Sequence, residues 1–187
     1  TRSVKTYKMK IIFLDIDGVL NSEKWYKERF DKNLYPNLEN YPLCEFDPLA
    51  IEQLNLLTDK TNAKIVISST WRMGRTIDEL KKLFEEVGIK GEIIGITPHL
   101  TFNDGYGVER GNEIKRWIDL NCIRWWDKIF DEKEKNITLE SYVILDDDPD
   151  MLLEQKDNFV RTSWRDGLTA LHTRKAIKIL NTTLNND

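Results

Sequence analysis

Carboxylates that could do chemistry occur in two short clusters, far apart in the chain. Asp15 and Asp17 form the first cluster, and Asp146 and Asp147 lie side by side in the second. Carboxylates that lie close together repel one another, so some must bind protons or a cation must lie among them. Oxygen ligands suit a hard cation, and Mg²⁺ commonly shares its coordination sphere with substrate phosphate. With such a cation, one carboxylate can attack phosphorus while another protonates the leaving oxygen.

A simple turn is the alternative interpretation of the first cluster. Asp15-Ile16-Asp17-Gly18 consists largely of residue types that are common in turns, so on its own it fits either interpretation. The second pair of aspartates, which follows a later apolar run, favours a shared chemical role for both clusters.

Hydroxyl groups and cations elsewhere in the chain could bind a phosphate. Ser68 and Ser69 follow an apolar run, where a hydroxyl and the next backbone N–H can bind a phosphoryl oxygen, although they could also merely cap the strand. Arg110 follows a loop that contains glycines and could neutralise phosphate charge, with Lys115 as its rival and a solvated surface arginine as the alternative. Arg72 could be a second phosphate contact or a member of a surface ion pair.

Short apolar runs directly precede three of these polar groups. Residues 10–14, 64–67 and 141–145 are long enough for buried strands and too short for helices, and weaker strands are expected at 92–94 and near 159–160. Helices are predicted from about 23 to 30, from 48 after the Asp47 cap, from 76, from 112 to 120 and from 169 to 180. This alternation predicts an α/β fold, with a Rossmann-like parallel sheet covered by helices on both faces. In such sheets, ligands bind beyond the carboxyl ends of the strands.

Composition and charge restrict the class of protein. A chain of 187 residues fits one domain, residues 1–187, with residues 1–8 as an N-terminal tail. The net charge of -4 argues against a broad nucleic-acid-coating surface, although a local basic groove stays open. Cys44 and Cys122 form no CxxC pair, which indicates a reducing compartment and predicts a cytoplasmic location. No apolar run approaches the length of a membrane helix, and the first ten residues lack the pattern of a signal peptide.

The chemically capable segments resemble motifs of the haloacid dehalogenase (HAD) superfamily of phosphohydrolases. Its first motif resembles Asp15-Ile16-Asp17-Gly18-Val19-Leu20, its second Ser68-Ser69-Thr70-Trp71-Arg72, and its fourth Leu145-Asp146-Asp147-Asp148-Pro149-Asp150. Arg110-Gly111-Asn112-Glu113-Ile114 fits the third motif best, with Arg where many members have Lys. The resemblance extends from Met9 to about Leu180. The subgroup it resembles most is the HAD domains of RNA-repair proteins. It is also similar to the phosphatase half of polynucleotide kinase-phosphatase and to the capless deoxyribonucleotidase-like set.

The resemblance implies a Mg²⁺-dependent phosphatase that works through an aspartyl-phosphate intermediate. Asp15 would be the nucleophile, and Asp17 the general acid and then the base that activates water. Asp15, the main-chain carbonyl of Asp17 and Asp147 would bind Mg²⁺, and Asp146 would support the metal shell. Each of these roles is carried over from the first and fourth motifs.

The same resemblance implies how the phosphate is bound. Ser69 would bind the phosphoryl group, with Ser68 as the alternative if the strand ends one residue earlier. Arg110 would steady the nucleophile and the phosphate. The expected substrates are nucleic-acid 3′-phosphate ends or nucleotides, and the resemblance is compatible with a domain of a larger repair protein. The sequence leaves the oligomeric state open.

A small insertion, residues 21–45, occupies the position of the first cap of the superfamily. It is too short for a full cap domain, so an open site that admits large phosphoesters is expected. Its aromatic residues could stack on a base or pack the insertion onto the core: Trp25, Tyr26, Tyr35 and Tyr41. Other interpretations of the chain are a receiver-like phospho-acceptor, a catalytically idle binding module, or a phosphatase of other small phosphate esters or phosphoprotein.

Overall fold

The computed structural model describes residues 7–35, 41–102, 105–123 and 135–182. Five strands lie in these ranges: β1 Tyr7–Leu14, β2 Lys64–Ile67, β3 Ile93–Ile96, β4 Ile137–Asp146 and β5 Phe159–Arg161. The α-helices are α1 Glu23–Asp31, α2 Pro48–Thr61, α3 Ile77–Glu86, α4 Arg110–Asn121 and α5 Ala170–Leu180. Short 3₁₀ helices span Leu43–Glu45, Thr70–Arg72 and Leu153–Asn158.

The strands form one sheet in the order β3-β2-β1-β4-β5, and every pair of neighbours is parallel. Successive side chains of a strand point to opposite faces, and β1 shows this alternation clearly. Ile12 and Leu14 pack with α2, α3 and α5 on one face, whereas Ile11 and Phe13 pack with α4 on the other. The predicted Rossmann-like parallel sheet with helices on both faces is therefore confirmed.

Local capping explains why the helices begin where they do. The Asp47 side chain accepts from the backbone N–H of Leu49, with Pro48 as the first residue of α2. Thr76 and Glu79 form the reciprocal capping box that was predicted to start α3. Each capped helix follows or precedes a strand, so these local signals fix where the chain turns between layers.

Two strands begin earlier than their apolar runs predict. β1 begins at Tyr7, so part of the expected tail of residues 1–8 belongs to the sheet, and residues 1–6 lie outside the described ranges. β4 begins at Ile137, four residues before the predicted start, and pairs with the first half of β1. Apart from the buried Ile137, these added residues are half-buried or exposed, so hydrophobicity alone did not reveal them.

The insertion contains one nine-residue helix, α1, followed by the 3₁₀ helix Leu43–Glu45, with residues 36–40 outside the described ranges. Trp25 is buried, and its indole N–H donates to the carbonyl oxygen of Cys44 over 3.1 Å. Trp25 thus packs the insertion together instead of presenting a face for stacking. Tyr35 and Tyr41 are exposed. No described helix combines the length and apolar character that crossing a membrane requires.

Candidate active site

The register of the sheet places three strand ends at the same level. Leu14, the last residue of β1, pairs with both Ile67 of β2 and Leu145 of β4. The residues that follow therefore emerge side by side, with the backbone N–H of Asp15 donating to the carbonyl oxygen of Leu145 over 3.0 Å. This is the physical reason why segments far apart in sequence share one edge of the sheet.

Three carboxyl groups converge at this edge. Asp15, Asp146 and Asp147 each present an oxygen within 4.8 Å of the others. Asp15 and Asp146 are buried, and Asp147 is partly exposed. An all-oxygen group of this kind has the donor chemistry that suits Mg²⁺.

Burial and mutual repulsion make the charged state of this cluster costly without a cation. Burial raises the pKa of Asp15 to about 6, although the hydroxyl of Ser69 and the charge of Arg110 act in the opposite direction. Burial and then the charge of Asp15 raise the pKa of Asp146 to about 8. Burial also raises the pKa of Asp147. A bound cation would relieve the repulsion, so the donor set fits a divalent metal ion.

Gly18 gives Asp147 the space it occupies. Gly18 has φ +71°, and a Cβ built on it would overlap the carboxyl group of Asp147. The loop around it is held from the other side, because the Thr162 hydroxyl donates to the carbonyl oxygen of Gly18 over 2.7 Å. The residue type of Gly18 indicates only a turn, because its second role depends on Asp147, which follows a different strand.

Asp17 lies beside the cluster and is held by two side-chain donors. The indole N–H of Trp71 lies 3.1 Å and 3.0 Å from its two carboxylate oxygens. The side-chain amide of Asn21 donates to Oδ1 over 2.8 Å, and Asn21 itself is fully buried. Neither Trp71 nor Asn21 was predicted as a site residue, although both stand in or next to the motifs.

Ser69, not Ser68, contacts the candidate nucleophile. The Ser69 hydroxyl interacts with the Asp15 carboxyl group and lowers the pKa of Asp15. Ser68 points elsewhere, and its hydroxyl accepts from that of Thr97 over 3.4 Å. Both serines are buried. The alternation of a strand accounts for the difference, since adjacent residues point to opposite sides.

Arg110 reaches the cluster and Lys115 does not. Nη1 of Arg110 lies 3.8 Å from Oδ1 of Asp15, and this buried nitrogen has no hydrogen-bond partner within the described residues. Lys115 instead forms an ion pair with Glu154, 3.2 Å away, on the surface. The structure thus brings together Asp15, Ser69 and Arg110 and leaves the rival cation outside.

Arg72 was predicted as a phosphate contact, but the structure places it in a buried ion pair. It is 6% exposed, and its guanidinium group lies 2.6 Å from Glu113, with both side chains buried. Its N–H groups also donate to the carbonyl oxygens of Ser69 and Thr97, over 2.6 Å and 3.0 Å. These contacts occupy its donors, so Arg72 fixes the loop after β2 instead of facing a ligand.

Glu113 connects that loop to the arginine of the site. Besides Arg72, its carboxylate lies 3.8 Å from Nε of Arg110 and 3.3 Å from Nδ1 of His99. Glu113 was not predicted as a site residue. Its position three residues after Arg110, on a helix face that also carries Ile114 and Trp117 into the core, was the available signal.

The start of α4 is held by the loop that follows β4. The Asp150 carboxylate accepts from the backbone N–H of Arg110 over 2.9 Å, and its carbonyl oxygen accepts from Gly111 over 3.2 Å. Asp150 thus caps a helix that has no side-chain cap of its own. Hydrogen bonds therefore connect the third motif to the fourth, and both motifs position Arg110.

The fold and the site together define a class: a Rossmann-like α/β protein with an acidic cluster, a hydroxyl and an arginine at the carboxyl edge of its sheet. Residues 11–173 match the family described as the HAD domain in Swiss Army Knife RNA repair proteins, and the chain belongs to this family. The family suggests a phosphatase-type function. Comparison with curated proteins and with solved structures gave no match.

Proposed function

We propose that this protein is a Mg²⁺-dependent phosphomonoesterase that forms an aspartyl-phosphate intermediate on Asp15. The observation that carries the proposal is the convergence, around Asp15, of Asp146, Asp147, the Ser69 hydroxyl and a nitrogen of Arg110 that has no hydrogen-bond partner among the described residues. Carboxylates fit a cation, whereas a hydroxyl and a guanidinium group fit the oxygens of a phosphoryl group. Both kinds of ligand thus lie around a single nucleophile.

Mg²⁺ would be held by Asp15, Asp147 and the main-chain carbonyl of Asp17, with Asp146 supporting them. When bound, it would neutralise the carboxylates and the phosphate, so that two negatively charged groups can approach one another. The remaining steps belong to the side chains of this chain.

In the first half of the reaction, an Asp15 oxygen attacks phosphorus and the bond to the leaving oxygen breaks. Asp17 donates a proton to that oxygen. Ser69 and Arg110 bind the phosphoryl oxygens, where negative charge must be stabilised. In the second half, Asp17 takes a proton from water, which attacks phosphorus and releases phosphate from Asp15.

Nucleic-acid 3′-phosphate ends or nucleotides are the substrates we propose. The RNA-repair family and the modest size of the insertion support this choice, because α1 is a single short helix and not a cap domain. We propose that the chain works as one domain, in the cytoplasm, where its two cysteines can stay as the free thiols seen here. A place within a larger repair protein agrees with the family.

A substrate panel tests this function. Hydrolysis would be measured on 3′-phosphorylated oligonucleotides, nucleoside monophosphates, sugar phosphates, a phosphopeptide and an aryl phosphate, with Mg²⁺ or with EDTA. We expect repeated Mg²⁺-dependent turnover that disappears in Asp15→Asn. Turnover limited to one equivalent would indicate a receiver-like phospho-acceptor, and no turnover would indicate an idle binding module. Activity confined to sugar phosphates or the phosphopeptide would reject the proposed substrates, but it would agree with the proposed phosphatase mechanism.

A further inference from the structure

A surface next to the acidic cluster runs from the end of β5 to the start of α1. The Arg161 side chain donates from Nε to the carbonyl oxygen of Asp147 over 3.0 Å, which joins β5 to the site. The loop that follows meets α1 through two backbone hydrogen bonds, from Glu23 to Trp164 over 2.8 Å and from Lys24 to Arg165 over 3.1 Å. The loop and the helix therefore form one continuous surface beside the candidate active site.

An aromatic ring is held open to solvent on this surface. Trp164 is 47% exposed, and its ring lies 5.7 Å from that of Tyr26, at an interplanar angle of 43°. Tyr26 is itself fixed, because its hydroxyl donates to Glu45 over 2.8 Å and the Arg29 guanidinium carbon lies 5.1 Å from its ring. A tryptophan with a rigid backing and an exposed surface is suited to stacking on a planar partner.

Exposed cations lie on the same loop and helix as this tryptophan. A cavity of about 470 Å³ is lined by Glu23, Lys24, Lys27, Arg165 and Asp166. Lys24, Lys27 and Arg165 are exposed, and none of them forms an ion pair with any carboxylate that the structure describes. Asp166 is engaged locally by the Ser163 hydroxyl, at 3.5 Å. With Arg161 included, the surface carries four cations and two carboxylates, the latter from Glu23 and Asp166. It is therefore locally positive on a chain whose net charge is -4.

We propose that this surface binds single-stranded nucleic acid whose phosphorylated end enters the candidate active site. We call it the strand surface, after the nucleic-acid strand it would bind, and define it as Lys24, Lys27, Arg161, Trp164 and Arg165. The proposal rests on the proposed function and adds the part of the substrate that lies beyond the terminal phosphate. Trp164 stacks on a base near the end, and the lysines and arginines contact backbone phosphates. The chemistry recognised is a planar base followed by repeated phosphates.

This arrangement separates a polynucleotide from a mononucleotide. A mononucleotide needs only the phosphate contacts and one base, so it gains nothing from Lys24 and Lys27. A strand supplies further phosphates, and each one bound by a cation releases a counterion, which makes the affinity depend on salt. Stacking on an aromatic side chain tolerates any base, so the surface selects single strands without selecting sequence.

Kinetics on three substrates test the surface. Wild type, Trp164→Ala and Lys24→Ser/Lys27→Ser would be compared on a single-stranded 3′-phosphorylated RNA of about eight nucleotides, a nucleoside 3′-phosphate and an aryl phosphate. For the RNA, we expect Trp164→Ala to raise KM about 5- to 100-fold, and Trp164→Phe to recover part of the loss. For the aryl phosphate, we expect kcat/KM to stay within about twofold.

Binding measurements separate the surface from the chemistry. Fluorescence anisotropy with the same RNA carrying a 3′-hydroxyl group needs no phosphatase activity. The affinity should fall in Trp164→Ala, and the slope of log K against log salt should become shallower by about 0.7 for each phosphate contact removed in the lysine variant. A double variant of exposed lysines on other helices, Lys60→Ser/Lys81→Ser, should leave both the affinity and the slope unchanged.

Each outcome decides between the two proposals. Binding that depends on Trp164, without hydrolysis of any substrate, would reject the proposed function and retain the strand surface. Equal losses on RNA and aryl phosphate would mean that these residues only support the fold, and would overturn the strand surface. Unchanged RNA affinity in both variants would also overturn it, as would a phosphopeptide that competes as well as the RNA does.

Discussion

The indole N–H of Trp71 donates to the carboxylate of Asp17, with its nitrogen 3.1 Å from Oδ1 and 3.0 Å from Oδ2. Trp71 is held in turn, because its ring packs edge-on against Phe46 at 5.3 Å and the Arg75 guanidinium carbon lies 5.2 Å from it. The second motif therefore orients a residue of the first. If Asp17 is the general acid, the Trp71 side chain sets the direction of its carboxylate.

Replacement of Trp71 by Phe would test this positioning. The substitution keeps an aromatic ring beside Phe46, and it removes the N–H group together with part of the indole ring. A hydrogen bond to a charged group contributes about 1.5–3 kcal/mol, so we expect kcat on the aryl phosphate to fall at least about 10-fold, with little change in KM. A kcat equal to that of the wild type would contradict the role assigned to Trp71.

The space that Gly18 leaves for Asp147 predicts a second effect. In Gly18→Ala, the new methyl group must displace the Asp147 carboxyl group, so we expect weaker Mg²⁺ binding and a large loss of kcat/KM. Metal affinity would be measured by titration calorimetry and activity on the aryl phosphate. The effect should be specific to the metal site, because the clash involves one of its proposed ligands.

Gly74 offers a matched control for this substitution. It has the same φ of +71°, and a Cβ there would meet nothing within 4 Å. Gly74→Ala thus carries the backbone strain of a positive φ, about 1 kcal/mol, without the clash. We expect it to lower stability and leave Mg²⁺ affinity unchanged. Equal metal affinities for the two variants would show that Gly18 serves only the turn.

The sequence was sufficient for the sheet and for the location of the site because both depend on local patterns. Apolar runs marked β1, β2 and β4, and the polar residues directly after them had to share an edge once the sheet was parallel. The order of the strands and the extra residues of β4 depend on pairing between distant segments. No single segment contains that information.

Arg72 shows the limit of such inference. An arginine next to a motif that binds phosphate has the right chemistry for a substrate contact, and sequence alone cannot tell a free guanidinium group from a paired one. Only the fold reveals that Glu113, from α4, lies 2.6 Å away. Sequence alone could not decide between Ser68 and Ser69 either, because the choice depends on which side of the strand end faces Asp15.

Arg110 and Lys115 form a natural pair for testing the third motif. Both are cations of α4, but only Arg110 reaches Asp15. A preorganised donor to a phosphoryl group typically contributes about 10²–10³ in rate, so Arg110→Met should lower kcat/KM by about that factor. Lys115→Met should stay within about twofold of the wild type. A larger loss in Lys115→Met than in Arg110→Met would reverse the assignment.

The carboxylate cluster predicts how stability depends on pH and on Mg²⁺. Asp146, with a pKa of about 8, and Asp15, with a pKa of about 6, retain protons in the folded state that an unfolded chain releases near pH 4. Their contribution to stability is therefore complete below about pH 4 and is lost as pH rises towards 8. In EDTA, we expect the free energy of unfolding, measured with urea, to decrease between pH 5.5 and 8.

Mg²⁺ should reverse this trend, because metal binding requires ionised carboxylates and competes with protons. The rise in Tm at a fixed Mg²⁺ concentration should consequently be greater at pH 8 than at pH 6. Asp146→Asn isolates the effect from other titrating groups, such as His172, whose pKa is lowered by burial. An Asn can still accept from the Asp148 N–H, as Asp146 does over 2.9 Å, but it cannot ionise. In EDTA, this variant should lose less stability than the wild type between pH 5.5 and 8. If Mg²⁺ raises the Tm of the wild type equally at pH 6 and pH 8, the proposed coupling between metal binding and protonation is contradicted.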